Sequence, residues 1–105
     1  MSDTMDFRII KSPTQGTIDI LLRRRSAPRT DPPPCTSAIG LVQGKMIEMV
    51  CAADVAEKAV GVTVEDIRGS CPQNMVLLAI FGDTASVEDA IAKIQQKAGE
   101  GVLEW

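Results

Sequence analysis

Four prolines within seven residues, Pro28 and Pro32-Pro33-Pro34, divide the chain more sharply than any other feature. Each removes a backbone donor and pushes its predecessor toward extended geometry, so residues 26–37 read as a polyproline-like connector. Only about 25 residues precede it, too few to bury a core alone. The connector therefore joins two segments of one domain spanning residues 1–105, and does not separate two domains.

The segment before the connector, residues 1–25, reads as two strands. Residues 7–11 are apolar and β-branched, Ser12-Pro13-Thr14-Gln15-Gly16 is turn chemistry, and residues 17–22 resume a β-rich run. There Ile18, Ile20 and Leu22 alternate with Thr17, Asp19 and Leu21, which predicts one buried face.

After the connector the pattern changes period. Residues 38–43 form an apolar strand containing Gly40, followed by a helix over residues 45–60. Its buried face is expected to hold Ile47, Val50, Cys51, Val55 and Ala59, with Asp54, Glu57 and Lys58 in solvent. Gly61 is the stop. Residues 62–68 are a strand, Gly69-Ser70-Cys71-Pro72-Gln73-Asn74 a loop, and residues 75–81 a continuous apolar strand. Gly82-Asp83-Thr84 turns the chain into a second helix, residues 85–98, with Val87, Ala90, Ile91 and Ile94 inward. Residues 101–105 are a candidate final strand. The order β-α-β-β-α over residues 38–105 is the ferredoxin-like arrangement short of its last strand, an α+β fold with an antiparallel sheet and two main helices. Residues 17–22 are the candidate to fill the open edge, which amounts to a circular permutation.

Composition narrows the chemistry. The chain has no histidine, which excludes Ser-His-Asp and Cys-His nucleophile systems, His-based zinc sites and a His general base. Aromatic residues are Phe7, Phe81 and Trp105 alone, so the stacking platforms of single-strand nucleic-acid binders are missing. Residues 1–30 carry six Lys/Arg and three Asp, while residues 31–105 carry five Lys/Arg and eleven Asp/Glu. The basic excess, centred on Arg23-Arg24-Arg25 and Arg29, reads as a solvated strand end or a subunit contact. No nucleic-acid partner is expected. No apolar run approaches the roughly 20 residues that span a membrane, and the N-terminus lacks a signal-peptide layout. Three widely spaced cysteines argue against a secreted disulfide framework and for a cytoplasmic location with reduced thiols.

The ordered pieces Ala38-Ile39-Gly40-Leu41-Val42, Gly44-Lys45, Ala52-Ala53-Asp54-Val55-Ala56-Glu57-Lys58-Ala59, Gly69-Ser70-Cys71, residues 75–81 and Gly82-Asp83 together resemble the BMC domain of bacterial microcompartment shell proteins. Arg8-Ile9-Ile10 and the apolar run at residues 17–22, placed before the domain, resemble its circularly permuted members. Gly69-Ser70-Cys71-Pro72-Gln73 looks most like the divergent permuted shell proteins of glycyl-radical compartments.

The resemblance implies a flat cyclic hexamer in a compartment shell, with other shell proteins and encapsulated enzymes as partners. It implies that the loop of Gly69, Ser70, Cys71, Pro72 and Gln73 lines a central pore, and that Lys45 packs at the edge between tiles. A helix-start lysine in solvent is the plainer reading of Lys45. One Cys71 per chain is no metal site, but a ring of six brings several thiolates around one axis. A 4Fe–4S cluster takes four thiolates, and a cysteine followed by proline recurs in ferredoxin-type binding runs. The resemblance thus makes Cys71 a candidate ligand of an iron–sulfur cluster shared between subunits, serving electron transport. An unremarkable turn thiol is the alternative. Cys51 reads as a small buried hydrophobe and Cys35 as exposed or at an interface. Two classes remain open: a non-enzymatic structural shell tile, and a small regulatory ferredoxin-like domain binding a metabolite at a subunit interface.

Overall fold

The computed structural model describes residues 5–26, 35–69, 75–100 and 103–105. The elements are β1 (Asp6–Lys11), α1 (Gln15–Arg23), β2 (Ala38–Lys45), α2 (Met46–Glu57), β3 (Val62–Ile67), β4 (Met75–Gly82) and α3 (Thr84–Glu100). Most of the proline connector and the proposed final strand's first two residues lie outside the described residues. Residues 103–105 are not a strand; Trp105 is half-buried against the core.

The four strands form one antiparallel sheet in the order β1-β2-β4-β3. A β-α-β-β-α unit alone leaves its first strand, β2, with a free edge. Here β1 takes that edge, with Ile9 opposite Gly40 and Lys11 opposite Ala38. The permutation is therefore real, but the strand that closes the edge is residues 6–11 and not residues 17–22.

Residues 17–22 are helical, within α1, which corrects the second N-terminal strand. Thr14 caps the helix, its Oγ1 accepting from the Thr17 backbone N–H at 3.2 Å, and Gln15 Nε2 donates to Asp19 Oδ1 one turn on at 2.9 Å. The buried residues are Ile18 and Leu21, three apart, while Ile20 stands half in solvent at 50% exposure. The helical i, i+3 spacing wins because a flat apolar sheet face waits beneath it.

Side-chain alternation along the strands gives the sheet two dry faces. Ala38 and Val42 of β2 with Leu78 and Ile80 of β4 point toward α2 and α3, meeting Met49, Ala52, Ala56, Val87, Ala90, Ile91 and Ile94. Ile39, Ala79, Phe81 and Ile67 point the other way, under Ile18 and Leu21 of α1. Fully burying each such Ile, Leu or Phe is worth about 1.5–3 kcal/mol relative to exposure. β4 is buried on both faces over residues 78–82, which explains its unbroken apolar run. Gly40 lets α3 sit close, since a Cβ there would lie 3.0 Å from both Ile91 Cδ1 and Val87 Cγ1.

Asp83 starts α3 as its cap: Oδ1 accepts from the Ser86 backbone N–H at 2.8 Å and Oδ2 from the Ser86 hydroxyl at 3.0 Å. Those bonds favour the carboxylate and hold the Asp83 carboxyl below its ordinary 3.8. A depressed folded-state value means the cap stabilises the fold above the unfolded value and loses this contribution as pH falls through the folded one. Asp83→Ala is thus expected to melt below wild type at pH 7. The gap should close below pH 3.8, as thermal scans across the acid range will register. No described helix is long and apolar enough to cross a membrane.

Candidate functional site: one end of the sheet

β3 and β4 run antiparallel with Ile67 opposite Leu77, so the connection between them leaves and re-enters at one end of the sheet. Gly69 begins that connection; it is exposed, and a Cβ added there would meet nothing within 4 Å. Ser70, Cys71, Pro72 and Gln73 lie outside the described residues. Their anchors are described: Ile67 is buried in the α1-side core, and Met75 pairs with Lys45 across the sheet.

Lys45 is therefore at the same end of the sheet as Gly69. It is exposed, closes β2, and is the first flanking residue of α2, where its side chain makes no capping bond. A tile-edge contact through Lys45 and a pore lined from Gly69 onward would have to come from one end of the sheet.

The helix α1 is nine residues long, about 13 Å of rise, and leaves this end of its sheet face uncovered. A hollow of about 280 Å³ lies there, lined by Asp6, Arg8, Leu41, Gln43 and Leu77. A smaller one of about 80 Å³, lined by Gln43, Ile67, Arg68, Gly69, Met75 and Leu77, continues it to the start of the loop. Gln43 and Leu77 line both, so the two hollows adjoin.

The remaining thiols are placed apart from one another in the fold. Cys35 is half-buried before β2, its Sγ 3.6 Å from Ser37 Oγ, and Cys51 is half-buried on α2. Neither is in a disulfide. Among the described residues, no group of three or more Cys, Asp or Glu is arranged to hold a metal ion.

The face of α2 differs from expectation. Its buried residues are Met49, Ala52 and Ala56, whereas Ile47 and Val50 are 73% and 66% exposed. Cys51, Val55 and Ala59 are intermediate. The helix is apolar around most of its circumference, so periodicity alone could not say which side meets the sheet. The small side, Ala52 and Ala56, goes inward because it lets helix and sheet approach. Met46, Ile47 and Val50 remain as an apolar patch facing outward.

Sequence reading also missed a buried ion pair, Arg25 with Glu65. Arg25 sat in a basic triplet that resembled a solvated end. Glu65 alternated with Val64 and Asp66, so nothing marked its side of the strand as covered.

The site thus stands on an antiparallel ferredoxin-like sheet closed by a strand from the N-terminal end of the chain, with the β3–β4 connection at one end. The BMC-domain family model matches residues 38–105, and the chain belongs to that family, the class of bacterial microcompartment shell proteins. Among solved structures, it is similar to the ligand-free GrpU microcompartment shell protein from Clostridiales bacterium 1_7_47FAA. The two share 66% identity, with a TM-score of 0.71 over 91% of this chain and 94% of that one. It is also similar to the ligand-free GrpU microcompartment shell protein from Pectobacterium wasabiae. That pair shares 33% identity, with a TM-score of 0.67 over 86% of this chain and 99% of the other. The comparison with curated proteins gives no match. Of the two classes the sequence left open, the structural shell protein is the one these matches support.

Proposed function

We propose that the chain is a cyclic hexameric tile of the compartment shell whose central pore binds an iron–sulfur cluster through Cys71 from several subunits. The pore then serves electron transfer or controlled passage of small molecules, with other shell proteins and the encapsulated enzymes as partners. The observation that carries the ring is the uncovered apolar side of α2. Met46, Ile47 and Val50 are 52%, 73% and 66% exposed in one chain, although water is a poor solvent for such a contiguous patch. A heterologous contact between this patch and a different surface of the next copy closes a ring, and closed rings are the common form of homo-oligomers.

The cluster reading rests on donor chemistry. With no histidine in the chain, thiolate is the soft ligand available, and Cys71 sits in the connection that leaves the sheet beside Gly69. Four thiolates from six equivalent loops would hold a 4Fe–4S cluster without obeying the ring symmetry, and such a cluster, when bound, supplies one-electron transfer. The chain's own part would be to present the Cys71 thiol toward the ring axis.

Iron and acid-labile sulfide analysis of anaerobically purified protein, on a sample whose mass has been fixed by light scattering, tests both halves. The expected result is a hexamer with about four irons per ring. A monomer or dimer at all concentrations sinks the tile, and a colourless, iron-free hexamer after reconstitution sinks the cluster.

A further inference from the structure

Glu65 is the one buried acidic residue among those described, and the side chain facing it is also out of water. Arg25 Nη1 lies 3.7 Å from Glu65 Oε2, with the two side chains 7% and 3% exposed. Arg25 Nε also donates to the Leu22 carbonyl at 3.3 Å, in the last turn of α1. The backbone around this pair is stitched to the outer edge of β3. Arg25 and Ile67 form an antiparallel bridge, Ser26 N–H donates to Asp66 O at 2.9 Å, and Arg68 N–H donates to Arg24 O at 2.7 Å.

We propose that Arg25 and Glu65 are positioning residues that lock the segment after α1 onto β3 and so fix the point from which the Cys71 loop departs. The backbone bonds alone specify this register weakly, because a short bridge can slip. Glu65 is held on this face by the β3–β4 ladder, so a slip of residues 24–26 by one position would turn the Arg25 side chain away from it and separate a buried carboxylate from the guanidinium that faces it, a far worse state than the paired one. The Arg25 guanidinium bonds Leu22 through Nε and faces Glu65 through Nη1, so its planar head ties the end of α1 to β3. Ile67 is then fixed from both edges, by Leu77 of β4 within the sheet and by Arg25 outside it, and Arg68 is held from outside by Arg24. The lock acts on the loop whose role as cluster carrier is proposed above, and its functional consequence rests on that reading.

The test uses full-length Cys35→Ser/Cys51→Ser protein, in which Cys71 is the sole thiol, assembled as the wild type assembles. Glu65→Gln keeps the side-chain shape and removes the charge; Arg25→Lys keeps a charge and gives up the fork. Where Glu65→Gln does not fold, Arg25→Lys carries the comparison. The expected result is Cys71 alkylation by iodoacetamide at least roughly fivefold faster than in the parent, with faster amide exchange at Ser26 and Arg68, whose N–H groups bridge the two segments, and an unchanged ring mass. After iron reconstitution, the variants should show altered g-values at unchanged iron content. Alkylation and exchange rates equal to the parent in a correctly assembled variant overturn the lock. Because alkylation needs no iron, a wild type that binds none removes the cluster reading, while the alkylation rate of Cys71 still decides for or against the lock.

Discussion

Cys71→Ser is expected to purify as the same ring as the wild type, free of iron and acid-labile sulfide after anaerobic reconstitution. The loss should be complete, because oxygen for sulfur at every equivalent position removes all the thiolate ligands of the loop at once. Cys35 and Cys51 offer no substitute, being half-buried elsewhere in the fold, in front of β2 and on α2. The ring should survive because the loop's anchors do not depend on the thiol. Ile67 is buried under α1, and Met75 is paired to Lys45. Elemental analysis and the visible absorption of the reconstituted protein read the first outcome, and light scattering reads the second. A variant that keeps its iron would place the ligands elsewhere, and one that falls apart would make Cys71 structural.

Val50→Asp is expected to do the reverse, abolishing the ring while each chain keeps its fold. Val50 is 66% exposed in the single chain, so the carboxylate costs the isolated fold little. Facing a neighbour's apolar surface, the same carboxylate would be desolvated without a partner. Loss of the valine contact together with that charge penalty comes to several kcal/mol at every one of the repeated contacts. Size-exclusion with light scattering should find monomer where the wild type is expected as a ring, with near-wild-type circular dichroism. A hexamer of unchanged mass would move the subunit contact away from α2. Ile47→Asp, at 73% exposure on the same patch, provides an independent repeat.

Residues whose surroundings are set by nearby sequence were readable in advance. The inward face of α3 is Val87, Ala90, Ile91 and Ile94 because its polar residues leave one apolar stripe. The β4 span follows from its continuous apolar run, and β3 from a short β-branched stretch between Gly61 and Gly69. Where the deciding partner is distant in sequence, the pattern misled. Residues 17–22 alternate like a strand, but the sheet already had its edge strand in residues 6–11, and its open face asked for a helix. On α2, two apolar sides competed for one sheet, and the choice of Ala52 and Ala56 over Ile47 and Val50 depends on how closely the helix can approach. Glu65 could not be read as buried without the segment around Arg25, forty residues earlier, that covers it. The expected metal ligand was legible only through its loop's resemblance, since one cysteine in a turn carries no ligand set of its own.

The sheet order has one more consequence, for how the molecule opens. β2, β4 and β3 with α2 and α3 form a contiguous unit made from residues 38–100, while β1 and α1 join it from across the connector. An edge strand with a short helix is the least costly piece to detach, so these two elements are expected to open together ahead of global unfolding. Its departure would expose Ile39, Ala79 and Phe81 and part Arg25 from Glu65 in the same event. The first partial unfolding of this tile would therefore begin at its permuted end and reach the departure point of the loop, and it would also withdraw Phe7 from the α2–α3 core and Lys11 from Glu88 on α3.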